Sequence, residues 1–172
     1  MNIGRHLYQF VLAVLIGIGT LLPAQVHAFP RPGQQAPNFK VVTTSGQPVS
    51  LNNYRGYVLV MDFFATWCPP CRASIPHLMT MNRKYGKQGL QILGQSLDED
   101  GESVVREFVA EQRINYPVAL ATEKVAADYG INSVPVLVVI DKRGKVVEVY
   151  HGFSDEIGRS MENLIRKLLA EK

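Results

Sequence analysis

The sequence predicts an α/β domain, and three observations carry that expectation. Val58-Leu59-Val60-Met61-Asp62-Phe63-Phe64 is a continuous apolar, β-branched and aromatic run of the kind buried on both faces of a sheet, broken once by Asp62. It leads into Trp67-Cys68-Pro69-Pro70-Cys71 and then a segment with helical spacing. Farther on, strand-like and helix-like segments alternate to the end of the chain, the pattern from which helix-covered sheets are built.

The elements follow in order. Met1 to His6 carries Arg5 and no acid, Leu7 to Leu22 is apolar, and Pro23 and Val26-His27-Ala28 come next. Residues 1–28 therefore read as a secretory signal peptide cut after Ala28, with an uncleaved anchor as the alternative. No cysteine closes the apolar run, which excludes a lipoprotein anchor. Either reading places the domain in an oxidising compartment: in the periplasm, or on the extracytoplasmic face of the inner membrane. Residues 29–37, with Pro30, Pro32, Gly33 and Pro37, read as an extended linker, and residues 38–172 as one domain. Phe39 to Thr43 and Val49 to Leu51, joined through Ser45-Gly46, predict a short hairpin ahead of the core.

After the cysteines, Ile75, Leu78, Met79 and Tyr85 form a helical stripe, with a kink expected at Pro76. Leu90 to Leu97 reads as a strand, and Asp98 to Gly101 opens a helix with Val105, Phe108, Val109 and Gln112 along one face. Ile114 to Leu120 returns as a strand, and Thr122 to Tyr129 is a short helix stopped by Gly130. Val136 to Ile140, the turn Asp141-Lys142-Arg143-Gly144 and Lys145 to Tyr150 form a hairpin signal. Ser154 is a good N-cap, and Ile157, Met161, Leu164, Ile165, Leu168 and Leu169 mark a core-covering helix.

A chain of 172 residues with net charge +3 is long enough for one core without staples and shows no nucleic-acid footprint. Its only two cysteines are Cys68 and Cys71. A bond between them would close so short a loop that it restrains little chain entropy, which favours a redox pair over a structural clip. A helix starting inside the motif tolerates proline in its first turn and puts Cys68 at its N-terminus, where a thiolate is favoured. A C-x-x-C cysteine so placed has its pKa lowered from about 8.5 to roughly 3.5–7.5. Cys71, one turn on, is placed to attack the mixed disulfide that Cys68 forms. The chemistry is two-electron dithiol-disulfide exchange, with no dissociable cofactor and no metal implied. Asp62 is the one acid in its apolar strand; burial raises the pKa of such a group and suits it to relay the proton of Cys71.

With Asp62 six residues before Cys68, Trp67 beside it and Pro76 five after Cys71, the chain resembles the thioredoxin superfamily. Phe63 to Ala73 looks like the TlpA/ResA group of exported thiol-disulfide reductases, and the resemblance runs from about Ala36 to the C-terminus. It implies a thioredoxin-like fold: a central mixed sheet with helices on both faces, an N-terminal β-hairpin and a central strand-helix insertion. It makes Val134-Pro135 a cis bond facing the cysteines, with the Val134 backbone able to pair with a client strand. Trp67, Pro69, Pro70, Val134, Pro135, His151 and Gly152 are the expected groove residues. One departure is Ser74, where many relatives carry a glutamate three residues after the second cysteine; proton handling then rests on Asp62 or water.

The implied activity is a monomeric reductase of specific protein disulfides, with apocytochrome c or a metallochaperone as client and a membrane donor of the CcdA or DsbD kind. Two rivals stand beside it. A Sco-type copper chaperone would use His151 as third ligand, but that family has three residues between its cysteines and this chain has two. A disulfide oxidase would differ only in potential, about 30 mV being worth 1.4 kcal/mol. Peroxiredoxins are similar at Pro37-Asn38-Phe39, yet their cysteine needs Pro seven before and Thr three before, where this chain has Met61 and Ala65.

Overall fold

A computed structural model describes residues 29–171. The signal or anchor expected over residues 1–28 lies outside the described residues. The order of elements is β1 (Lys40–Val42), β2 (Pro48–Ser50), a 3-10 turn (Leu51–Tyr54), β3 (Val58–Phe64), α1 (Pro69–Tyr85), β4 (Leu90–Ser96), α2 (Glu102–Glu111), β5 (Val118–Leu120), α3 (Glu123–Asp128), β6 (Val136–Ile140), β7 (Val146–His151) and α4 (Asp155–Ala170). A five-stranded sheet runs in the order β5-β4-β3-β6-β7, with β1 and β2 forming a separate antiparallel pair.

β3 is parallel to β4, and β4 to β5, so each step needs a crossover, which α1 and α2 provide. β6 is antiparallel to both β3 and β7, and a tight turn suffices to join β6 to β7. In that turn the buried Asp141 carboxylate accepts the N–H groups of Arg143 at 2.9 Å and Lys145 at 2.8 Å. Gly144 takes φ +78° there, with the Arg55 guanidinium packed where a Cβ would stand.

Every residue of β3 is buried, which the unbroken apolar run requires of a central strand. Its period of two sorts the side chains between two cores. Val58, Val60 and Phe64 face α1, α2 and α4 through Ile75, Phe108 and Met161. Leu59, Met61 and Phe63 face α3 and the hairpin through Val125 and Val41. Helices thus cover both faces, and α2 with β5 is the central insertion. α4 begins as its sequence requires: the Ser154 hydroxyl accepts the Ile157 N–H at 3.2 Å, with Asp155 and Glu156 in the first turn.

Two stretches differ from expectation. The strand expected from Ile114 is regular only over Val118–Leu120, because the Tyr116 ring turns into the core and Pro117 has no N–H for a ladder. The stretch 29–37 is not a free extended tether: it turns between Arg31 and Gln34, whose N–H donates to the Arg31 carbonyl at 3.0 Å, and it docks on the sheet. Gly33 N–H donates to the Val146 carbonyl, Val146 N–H to Gln34, and Ala36 N–H to Gly144, all within 2.8–2.9 Å, and Ala36 is buried. The unpaired edge of β7 offers those partners, and exposed backbone beside a chain of extended habit pairs with it. Among the described residues, no helix is long and apolar enough to cross a membrane.

Candidate active site

Cys68 is the N-cap of α1, and Pro69 and Pro70 are its first two residues. Neither proline has an N–H, so the first amide that the helix can offer is that of Cys71. It donates to Cys68 Sγ at 3.3 Å. A helix N-terminus with its leading amide aimed at one sulfur favours negative charge on that sulfur. Cys68 and Cys71 are joined in a disulfide, with Cα atoms 5.3 Å apart. Cys68 is only 3% exposed and Cys71 is fully buried, so the outer sulfur is more covered than the sequence implied. Trp67 beside it is 69% exposed.

Asp62 lies on β3 in the face that carries Val60 and Phe64, the face packed against α1 and Cys71. It is 0% exposed, and neither carboxylate oxygen has a hydrogen-bond partner. Burial pushes its pKa up to about 7, and the Tyr116 hydroxyl holds the rise back. In this structure that hydroxyl, like both carboxylate oxygens, has no hydrogen-bond partner. Burial, followed by the charge of Asp62, drives the Tyr116 phenol well above its ordinary value.

The loop between β3 and α1 is fastened by an acid absent from the sequence reading as a site residue. Asp98, just past β4, accepts the Thr66 N–H at 3.0 Å and the Thr66 hydroxyl at 2.6 Å. It also accepts the Ser96 hydroxyl at 2.5 Å. Arg72 of α1 adds a bond to the Thr66 carbonyl at 3.2 Å. Thr66 and Asp98 are 32 residues apart, so no local pattern announces the tie.

The remaining expected site residues fall as follows. Val134-Pro135 is cis, and the Val134 carbonyl lies 3.9 Å from Cys68 Sγ. Gly152 N–H donates to the Pro135 carbonyl at 2.8 Å, with Gly152 at φ +76°. His151 pairs in register with Val136 but is exposed, its ring held edge-on to Phe29 at 4.5 Å between centroids. Pro69 and Pro70 are exposed on the helix start. Ser74 gives its hydroxyl to the Cys71 carbonyl at 2.8 Å, a bond within the helix.

A bonded C-x-x-C pair at a helix start, facing a cis-proline on a thioredoxin-like fold, defines the class of thiol-disulfide exchange proteins. Comparison narrows it. The family model described as AhpC/TSA matches residues 32–149. The chain is 31% identical over 137 residues to the thiol-disulfide oxidoreductase ResA of Bacillus anthracis, covering 79% of this chain and 78% of that one. It is 30% identical over 125 residues to ResA of Bacillus subtilis, covering 72% and 69%. A Chlorobium tepidum structure described as a thiol:disulfide interchange protein DsbE superposes with TM-score 0.77 at 30% identity, over 82% of this chain and 99% of that one. This chain belongs to the AhpC/TSA family, among its ResA-type thiol-disulfide oxidoreductases.

Proposed function

We propose that the domain is an exported reductase of protein disulfides in which Cys68 attacks, Cys71 resolves and Asp62 takes the proton. The observation that carries this reading is the Cys68 sulfur, which caps α1 through the Cys71 amide and lies 3.9 Å from the Val134 carbonyl. Nucleophile and docking backbone are thereby side by side. Met61 and Ala65 occupy the places where peroxiredoxin chemistry needs proline and threonine, which favours dithiol exchange over peroxide reduction.

The Cys68 thiolate attacks one sulfur of a client disulfide; a mixed disulfide forms and the client's other sulfur leaves as thiolate. The Cys71 thiol passes its proton to the Asp62 carboxylate and attacks Cys68 Sγ. The mixed disulfide breaks, the client leaves with both sulfurs reduced, and the protein is left with the Cys68–Cys71 bond seen here. Two electrons have passed from the Cys68–Cys71 dithiol to the client's sulfurs, carried by the sulfurs themselves without a dissociable cofactor. The next turnover needs an outside dithiol, in our reading a membrane donor of the CcdA or DsbD kind, with apocytochrome c or a metallochaperone as client. Residues 1–28 would carry the domain across the membrane as signal or anchor.

Cys68→Ser is expected to abolish insulin-disulfide reduction, and a variant that keeps it overturns the proposal. The reduction potential of the pair then separates reductase from oxidase: a value near about −270 mV fits a reductant, one near about −120 mV an oxidant.

A further inference from the structure

Three side chains on the same side of the sheet hold unpartnered buried polar atoms: Asp62, Tyr116 and His77, the last against Gly158 and Phe153. Asp62 has two oxygens that only accept when ionised, and Tyr116 has a hydroxyl that can donate. Both are buried, and buried polar groups left unpaired are rare enough to call for an explanation. The backbone has been shaped to bring them together. Asp62 is in register with Gly94 on β4, and the Tyr116 ring lies over that glycine. A Cβ at Gly94 would come within 3.5 Å of the Tyr116 ring, 3.2 Å of Phe64 and 3.0 Å of Val118. Without a side chain there, the ring reaches across β4 toward β3.

We propose that Tyr116 is a positioning residue for Asp62: carried over Gly94, its hydroxyl donates to the carboxylate whenever Asp62 ionises, and so keeps Asp62 a usable base for Cys71. This rests on the reading of Asp62 as proton acceptor given above. Three other titratable groups stand on that side, of which only His77 also carries an unpartnered atom, its Nε2. Cys71 is the reaction partner, the Tyr85 hydroxyl donates to Glu162 at 2.6 Å, and His77 lies against Gly158 and Phe153. The buried side chains that α2 and α4 turn to this core are apolar. With no cation at hand, the phenol is the group that holds the Asp62 titration near neutrality, where a base must operate.

The test is the titration of Asp62 followed by carboxyl-carbon NMR in the oxidised protein, wild type against Tyr116→Phe, which keeps the ring and removes only the oxygen. The midpoint should rise by about one pH unit or more, the scale expected when an ionised group loses a hydrogen bond. In single-turnover resolution of a mixed disulfide, the acid limb should move up by the same amount and the rate at pH 7 should fall about fivefold. In the Asp62→Asn background Tyr116→Phe should shift no limb. An unmoved Asp62 midpoint in Tyr116→Phe overturns the proposal, whatever happens to the melting temperature. Should that variant not fold, the wild type decides: the Tyr116 ring carbon bearing oxygen should titrate with the Asp62 midpoint, and a flat response overturns the proposal. The NMR readout needs no turnover, so failure here is distinct from failure of the Cys68→Ser test.

Discussion

Asp62 and Asp98 are buried carboxylates on the elements around the same pair of cysteines, one in the middle of β3 and one just past β4. Their surroundings are opposite. Asp98, 4% exposed, accepts a backbone amide and two hydroxyls and fixes the loop that presents Trp67 and Cys68. Asp62 has no hydrogen bond at all and retains its proton to about pH 7. A satisfied carboxylate makes a rigid bracket, whereas one deprived of partners makes a proton store.

The largest effect should come from pH acting on Asp62. Its folded pKa is above the ordinary 3.8, so the unfolded chain ionises first as pH rises and gains on the folded one. Stability is highest below about pH 4 as far as this group is concerned, falls up to about pH 7 and then levels. At about 1.4 kcal/mol per pH unit the loss is about 4 kcal/mol. Urea denaturation at a series of pH values should show that decline in the wild type and its disappearance in Asp62→Asn; equal slopes would erase the contrast between the two acids.

Asp98→Ala should cost about 3 kcal/mol at every pH from 5 to 8, since it orphans the Thr66 amide and two hydroxyls. A loss under about 1 kcal/mol would show that the bracket is dispensable. Gly94→Ala should cost about 1–3 kcal/mol, because Val118 and Phe64 must give way around the new methyl. Ser154→Ala, remote from both acids, should cost about 1 kcal/mol through its lost cap and leave the pH profile parallel to wild type. Trp67→Ala should change stability by no more than about 0.5 kcal/mol while weakening client binding, measured by trapping on a Cys71→Ser variant.

Much of this site was legible in the sequence for physical reasons. Cys68 and Cys71 stand alone at helical spacing after an apolar strand, and an acid inside that strand marks itself by its cost. The hairpin, the α4 cap and the alternation of strands and helices have short periods that sequence exposes directly. The Asp98–Thr66 tie and the reach of Tyr116 do not, because each depends on strands that meet only in the folded sheet. The Tyr116 hydroxyl in particular looks like one more strand aromatic until Gly94 is seen beneath its ring. The docking of residues 29–37 was hidden likewise, since proline-rich sequence specifies extension but not a partner.

That docking has a consequence for how other chains can approach. Residues 33–36 occupy the outer margin of the sheet at Gly144 and Val146, where an incoming strand would otherwise find open amides and carbonyls. The molecule thereby closes one invitation to indiscriminate strand annealing.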